Sequence, residues 1–507
     1  MNRRILLATT MVAGFAGCAG TAFAQTNVYG GGSTLAENLY NRTVQAIAAN
    51  GIGSTALDFG INYAGSVGEF WYAPGGSGKG QQSFLTQINA FAAGQLPASV
   101  SAIHYGASDA YLSADQIAYW NTGVPGASGT PSASYPTLSV APASVGGPLI
   151  QLPTFATAIV IAHTNFSYTK AITLTDNDIC GIFSGKITDW SGIQAIPGKT
   201  TAPKGLGGPL TVQYREDGSG TSFLFTQHLQ QVCNSSNTAA GVTFTATKYF
   251  ADIFGAPLVS GSNHFVNPTN WQGAVTPVAG SGSGAVANNL IAGTNNIAYI
   301  TPDYTSIAPS GLVHYAAVAA ANGTSITSAV DPLLSPYQYI KYAKVYNTAS
   351  GKAYAPNPGG ATKAFSNPNG TNGTINPATG ALTVGSNDYS PGYPATKSAA
   401  NTPSLWIPAV GNPTDGYPIV GYTTMEFATC YSNNAVKSEI LAFLTQLYGS
   451  GNKTNLTFEG FAGLPAAYKT TISTVFVKGT SPYVINIGNT QECGTTVTGI
   501  VTRAPGL

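Results

Sequence analysis

Hydrophobic positions fall in short blocks whose period keeps changing along the chain. Ile61-Asn62-Tyr63 alternates like a short strand, and Phe84 to Phe91 spaces its apolar side chains like a short helix. Ala156 to Ala162, after Pro153, is a run of apolar and β-branched residues, the pattern of a strand buried on both faces. Leu210 to Tyr214, Asn296 to Ile300 and Tyr417 to Glu426 predict further strands. Val436 to Leu447 has apolar residues at 436, 440, 441, 444 and 447, one face of a helix. Two stretches show no period. One, about 121–148, is rich in Gly, Pro, Ser and Ala. The other, about 347–412, contains Asn367-Pro-Asn-Gly-Thr-Asn-Gly-Thr374, close to pure turn chemistry, and is predicted to be an inserted surface loop. Strands alternating with helices over 507 residues predict an α/β fold with room for two or more domains.

One apolar block is of another kind. Ile5 to about Gly20 follows the basic start Met1-Asn-Arg-Arg4 and leads to Ala22-Phe23-Ala24-Gln25. A basic, then apolar, then A-x-A order predicts a secretory signal peptide over residues 1–24, cleaved near Ala24-Gln25. The apolar run is shorter than the roughly 20 residues a bilayer span needs. The expectation is a periplasmic or secreted mature chain with no membrane span. Charged residues are only 8% of the chain while aromatics are 10%, which separates it from disordered sequences. The formal charge is +1, and −1 once Arg3 and Arg4 leave with the leader, so nothing predicts nucleic-acid binding. Cys180, Cys233, Cys430 and Cys493 remain after cleavage. An even number in an exported chain predicts two disulfides, with three pairings open. No pair has C-x-x-C spacing and none lies beside a His, so no metal is expected, and no cofactor.

The candidate chemistry lies in two Gly/Ser/Thr clusters that stand directly before helical patterns. The first is Gly30-Gly-Gly-Ser33-Thr34-Leu35, ahead of Leu39, Val44 and Ile47; the second is Arg215-Glu216-Asp217-Gly218-Ser219-Gly220-Thr221-Ser222, ahead of Phe225 and Leu229. A helix start offers free N–H groups and a partial positive charge, glycines let a ligand approach, and hydroxyls add donors. Ordinary N-capping is the alternative, and Thr34-x-x-Glu37 fits a capping box. Arg215 makes the second cluster more specific, because a guanidinium beside a helix start suits a tetrahedral oxyanion. Asp217 is placed to hold it or to serve as a turn residue. Gly75-Gly-Ser77-Gly-Lys79-Gly80 reads as a flexible, donor-rich loop, and Asp109 follows a short strand in a small-residue setting.

Taken in order, these segments resemble the periplasmic phosphate-binding proteins of phosphate ABC transporters. The matching stretches are Gly30–Leu35, Ile61–Tyr63 with Gly76-Ser-Gly, Tyr105–Ser113, Ile182–Trp190 and Arg215–Phe223, with weaker echoes at Ile297–Tyr299 and Tyr417–Thr424. The resemblance implies a two-lobed, type II periplasmic-binding-protein fold. Lobe I would be 25–152 plus 418–507 and lobe II 153–417, with crossings near Pro153 and Tyr417. It implies that Thr34, the Leu35 N–H and Ser77 donate to phosphate, as do Ser219, Gly220 and Thr221. Arg215 would be the cationic contact, braced by Asp217, and Asp109 would accept a proton from the ligand. Cys180–Cys233 and Cys430–Cys493 follow as disulfides, because each pair then lies within one lobe. The chain is longer than the transporter-coupled family, Leu35 stands where an aromatic is usual, and Glu216 intervenes between Arg and Asp. The longer DING proteins share its low-charge character, but Asn27-Val-Tyr-Gly replaces their opening motif.

The function so implied is capture of inorganic phosphate by a monomer, for a phosphate ABC permease or for scavenging. An extracellular phosphoesterase of the DING type and a surface or adhesive protein are the alternatives. His104, His163, His228, His264 and His314 are scattered without metal-ligand spacing, which gives an esterase little to work with.

Overall fold

The structure is a computed structural model. It describes residues 27–126 except 38 and 41–69, residues 134–307 except 166–170, 199–205, 256–270, 272, 274 and 276, and residues 340–494 except 368–381, 385–386, 390–402, 408–409, 450–455, 457–459 and 479–486. The leader, the strand expected at Ile61–Tyr63, and Val44, Ile47, His264 and His314 lie outside these residues.

Two five-stranded sheets organise the molecule. The first contains β1 (Val28–Gly32), β2 (Phe70–Ala73), β3 (Tyr105–Ser108), β4 (Leu149–Ala158) and, late in the chain, the strand Val420–Ala428, in the order β2-β1-β3-(420–428)-β4. The second contains β5 (Val160–His163), β6 (Thr211–Arg215), β7 (Val278–Gly280), β8 (Asn296–Ile300) and β9 (Lys341–Tyr342), in the order β9-β5-β8-β6-β7. The strand Val420–Ala428 is β10. In each sheet the three strands at one side are parallel: β2, β1 and β3 in the first, and β7, β6 and β8 in the second. In each, an antiparallel strand follows, β10 in the first and β5 in the second. The two lobes therefore repeat one plan. Parallel strands need crossover connections, and here helices supply them: α1 (Ser77–Thr86) after β2, α2 (Ala114–Thr122) after β3 and, beyond α3 (Asp176–Ser184), which stands between the antiparallel β5 and β6, α4 (Gly220–Val232) after β6 and α5 (Gly282–Ile291) after β7. Helix α6 (Asn434–Leu447) follows β10.

The chain leaves the first sheet at Ile159 and comes back at Ile419, and the two crossings run side by side. Ile159 N–H donates to the Ile419 carbonyl at 2.8 Å, and Tyr417 Oη donates to the Ile159 carbonyl at 2.9 Å. Pro153, expected to mark the first crossing, instead lies within β4. Proline has no N–H for a ladder. It sits opposite Thr424 at the irregularity in β10 pairing, where Thr154 is the extra residue. The apolar run from Ala156 to Ala162 is accordingly not one strand but the end of β4 and the start of β5.

The core of each lobe forms where apolar helix faces pack on the buried strands of its sheet. On α4, Leu224, Phe225 and Leu229 are buried, and Phe225 stacks on Tyr299 of β8 with ring centroids 4.6 Å apart. Each such side chain contributes about 1.5–3 kcal/mol by leaving water. Cys180 on α3 is bonded to Cys233 at the end of α4, and Cys430 after β10 to Cys493.

Three expectations need correction. Ser77–Gly80 is the first turn of α1 rather than a flexible loop, and the helix ends at Gln87 instead of reaching Phe91. The stretch 347–412 is not only surface loop. The helix Pro358–Phe365 buries Ala361, Ala364 and Phe365, and Phe365 packs on Tyr422 at 4.5 Å. Those apolar residues are at helical spacing but sit within Gly-, Pro- and Asn-rich sequence that hides it. In the stretch 121–148, Tyr135 and Leu138 are buried as well.

Candidate functional site

Every residue singled out in the sequence lies at or just past the carboxyl end of a parallel strand, the edge at which open α/β sheets bind ligands. Thr34 follows β1, Ser77 follows β2, Asp109 follows β3, and Arg215 ends β6 with Asp217–Thr221 just after it; Ser283, which the sequence did not mark, takes the same place after β7. The two lobes face each other there. Gly78 N–H donates to the Gly218 carbonyl at 2.7 Å, and Thr34 Oγ1 lies 3.2 Å from Ser283 Oγ. Thr34, Ser77, Asp109, Arg215, Asp217, Ser219 and Thr221 are all 5% exposed or less, so the cluster is enclosed.

Arg215 is the cation of the cluster. It ends β6, and its own N–H is held by Tyr299 Oη at 3.0 Å. Asp217 clamps the guanidinium through two bonds, Nε to Oδ1 at 2.6 Å and Nη2 to Oδ2. Nη1 reaches Ser283 Oγ at 3.1 Å and Thr221 Oγ1 at 3.4 Å. Burial pushes Asp217 up, but the Arg215 charge, the paired hydrogen bonds and the Gly282 N–H more than reverse it, and the carboxyl is held below its usual value. The guanidinium stays charged despite its burial because Asp217 faces it. A forked donor fixed in one orientation suits an anion with several oxygens.

Asp109 faces this cation from the other lobe. Its Oδ2 accepts from Ser33 Oγ at 2.6 Å and from Ser77 Oγ at 3.4 Å. Its Oδ1 is buried without a hydrogen bond of normal geometry. Burial raises its carboxyl to about 6, although Ser33, Thr423, Arg215 and Ser77 all oppose the shift. A buried carboxylate that is only partly satisfied is an acceptor in need of a proton donor.

Ser219 caps α4 by accepting from Ser222 N–H at 3.1 Å, which leaves its hydroxyl proton free to donate elsewhere. Gly220 opens the helix against Asp109 and Ser77. Leu35 does not sit as expected. Its N–H donates to Ser33 Oγ at 3.0 Å, a local side-chain turn that takes the donor out of the cluster. Glycines 30 to 32 also have another role. They lie in β1 itself, where a β-carbon on Gly32 would sit 1.9 Å from the Ala107 carbonyl oxygen and one on Gly30 2.4 Å from that of Tyr105. They serve close strand packing, not ligand approach. Thr34 makes no capping box with Glu37, since its hydroxyl is turned across the cleft to Ser283. Glu37 is itself pushed up to about 7, by burial first and then by Asp303, so its repulsion of an anion weakens near neutral pH.

The sequence reading missed Ser283, Gly282 and Thr423. Gly280-Ser-Gly-Ser-Gly284 before α5 repeats the pattern of the other two clusters and held the signal for the first two. Thr423 is an inward residue of a long strand, with no local mark.

Among the described residues no group of three or more His, Cys, Asp or Glu side chains is arranged to hold a metal. No helix among them is long and apolar enough to cross a membrane. What the cluster offers is a clamped cation, hydroxyl and backbone donors, and one buried acceptor, arranged to enclose a small oxyanion.

Residues 19–365 match the family model described as PBP superfamily domain. Alkaline phosphatase L of Pseudomonas aeruginosa is 30% identical over 478 residues, 93% of this chain and 94% of that protein. A phosphate-binding protein of an unknown prokaryotic organism is 27% identical and aligns over 92% of this chain and 98% of its own. The solved structure of a high-affinity periplasmic phosphate-binding protein bound with phosphate superposes with a TM-score of 0.60 at 25% identity, over 92% of this chain and 98% of that one.

Proposed function

From a chain that belongs to the PBP superfamily domain family, we propose a protein that captures inorganic phosphate between its two lobes. The observation that carries the reading is Arg215, locked by Asp217 at the end of β6, facing Asp109 across the cleft with hydroxyls from both lobes around them. In this reading Thr34, Ser77, Ser219, Gly220 and Thr221 donate to the anion, with Ser283 beside them. Arg215 supplies the charge and Asp109 accepts the proton that phosphate keeps. Lobe I is 25–152 plus 418–507 with β4 carried on to Ala158, and lobe II is the intervening chain. The leader over 1–24 exports the protein, which delivers phosphate to an ABC permease or retains it as a scavenger.

The name of the Pseudomonas aeruginosa relative favours a second reading, phosphoester hydrolysis. Two features support binding over turnover. The cluster is enclosed on all sides, which suits a free anion better than an ester with a leaving group. The described histidines are engaged elsewhere: His104 accepts from Tyr29 N–H, His163 packs edge-on to Trp190, and His228 bridges Gly411 and Asp176. None activates Ser219. Calorimetry on the purified mature chain should show one phosphate bound per molecule, with no turnover of p-nitrophenyl phosphate. Absence of binding refutes the reading, and turnover abolished by Arg215→Ala would establish the second one.

A further inference from the structure

A second connection between the lobes runs behind the cluster, through Lys248. This residue follows α4 in lobe II. Its carbonyl accepts from Ser219 N–H at 3.0 Å, so its backbone supports the residue that caps α4. Its side chain runs the opposite way, into lobe I, where Nζ donates to Gln81 Oε1 on α1 at 2.8 Å. Gln81 is the centre of a buried network. Gln116 Nε2 donates to the same Oε1 at 3.2 Å, and Gln81 Nε2 donates to the Ala110 carbonyl at 3.0 Å and to Glu426 Oε1 at 3.4 Å. Gln151 Nε2 adds a bond to Glu426 Oε1 at 2.9 Å and one to the Ala110 carbonyl at 3.0 Å. Glu426 Oε2 has no hydrogen bond, and the side chain is fully buried in the first sheet.

The arrangement places a cation of one lobe over an incompletely satisfied carboxyl of the other. Burial pushes the Lys248 ammonium down to about 8, against the pull of Glu426. Burial pushes the Glu426 carboxyl up to about 8, opposed by Gln81, Gln151 and Lys248. When the lobes part, lobe I loses the only cation reaching this network among the described residues, and the carboxyl stays behind. The direct hydrogen bonds between Gly78 and Gly218 and between Thr34 and Ser283 join neutral groups that water can replace, and Arg215, which faces Asp109 across the cleft, keeps Asp217 of its own lobe when the lobes part.

We propose that Lys248 is an interlobe latch: it touches no ligand, but its bond to Gln81 over Glu426 favours the closed arrangement and thereby sets how slowly a captured anion is released. It is a positioning residue, acting through α1, which bears Ser77, and through Ser219 at the start of α4. A group that contacts only the closed form shifts the equilibrium by its differential interaction with the two forms, and the effect appears in release rather than in encounter.

The inference rests on the phosphate reading for its kinetic arm but not for its structural one. Lys248→Met keeps the aliphatic stem and removes charge and donor. Phosphate release, followed by tryptophan fluorescence in stopped flow, should be at least about tenfold faster than wild type, with the association rate within about twofold, as expected for a change felt in the closed state. Lys248→Arg should restore most of the slow release. Small-angle scattering of the ligand-free proteins should show a larger radius of gyration for Lys248→Met than for wild type. Unchanged release together with unchanged scattering overturns the latch. If the wild type binds no phosphate, the proposed function falls while the scattering comparison still decides the latch. Should Lys248→Met fail to fold, Gln81→Leu tests the same bond from the other lobe, with the same two readouts and the same overturning result.

Discussion

Gly220 lies so close to Asp109 that a β-carbon on it would sit 2.4 Å from the Asp109 Oδ2 and 2.5 Å from the Ser77 Oγ. Gly220 starts α4 in one lobe, whereas Asp109 and Ser77 belong to the other. Its backbone φ is not positive, so alanine is conformationally permitted there and favours a helix. The methyl group is therefore a probe of the closed cleft and of the space left for the anion, without strain in α4 itself. Gly220→Ala should weaken phosphate binding at least about tenfold, a change of about 1.4 kcal/mol, with the melting temperature of the ligand-free protein unchanged or raised. Calorimetry and thermal melting of the same preparation check both halves. Wild-type affinity in this variant would show that the lobes do not meet this closely in the bound state.

Arg215 and Asp217 form a unit, and the two truncations should differ. Arg215→Ala removes charge-assisted bonds of roughly 1.5–3 kcal/mol each and also leaves Asp217 buried without its cation. Phosphate affinity should fall at least about a hundredfold and stability should fall with it. Arg215→Lys retains charge but not the fork that meets both Asp217 oxygens, so it should recover stability more than affinity. Unchanged affinity in Arg215→Ala would remove the residue from the site.

The fold was legible where the pattern was strong and local. Asn296–Ile300 is a strand with the bounds its residues predict, and α6 begins two residues before Val436. The site was legible for a related reason: its groups sit at strand ends, where Gly, Ser and Thr clusters stand out against apolar runs. Other features were hidden. Ser33 reads as one member of a cluster, and only the parallel pairing of β1 with β3 brings it to Asp109, 76 positions away. Glu426 reads as a strand end, yet it is fully buried among three glutamines and a lysine drawn from four distant segments. Pro153 reads as a break because proline usually is one, and only the irregular pairing of β10 makes room for it.

Glu426 also predicts a pH dependence of stability. Its folded carboxyl is raised to about 8 from an ordinary value of 4.5. Its stabilising contribution is therefore complete below pH 4.5 and is lost as pH rises through 8. His104, lowered by burial to about 4, and His163, lowered to about 3, act below their ordinary value of 6.5. Asp109 and Asp252, each raised by burial to about 6, also finish below that point. From pH 6.5 to about 7.5 the slope belongs to Glu426, with Glu37 adding in the lower part, and Lys248, lowered to about 8 by burial, opposes it as the pH approaches 8. Denaturant melts of the ligand-free protein should lose stability with rising pH there, at most about 1.4 kcal/mol per pH unit for this group. Glu426→Gln should flatten the slope above pH 7. An equal slope in the variant would show that Glu426 does not titrate in this range.

The last prediction concerns selectivity. Sulfate and phosphate are tetrahedral oxyanions of similar size, so the donors around Arg215 cannot distinguish them by shape. They differ in protons, since phosphate near neutral pH keeps at least one and sulfate keeps none. Asp109 is placed to read this difference. Oδ2 is taken by Ser33 and Ser77, and Oδ1 is buried without a bond of normal geometry. A protonated phosphate oxygen gives Oδ1 the short, charge-assisted donor that it lacks. A sulfate oxygen brings only lone pairs against it, and leaving a buried charge unpaired costs several kcal/mol, about a thousandfold or more in affinity. The carboxyl's raised value of about 6 works the other way at low pH, where a protonated Asp109 can donate to sulfate. Wild type should therefore reject sulfate at pH 8 and admit it progressively below pH 6. Asp109→Asn offers an acceptor or a donor at every pH, so it should bind phosphate while rejecting sulfate less, with no dependence on pH through this group. The measurement is a phosphate titration of both proteins, with and without excess sulfate, at pH 5 and pH 8. Equal sulfate competition in the two proteins at pH 8 would remove Asp109 as the filter and, with it, the proton-accepting role assigned to the lobe I side of the cleft.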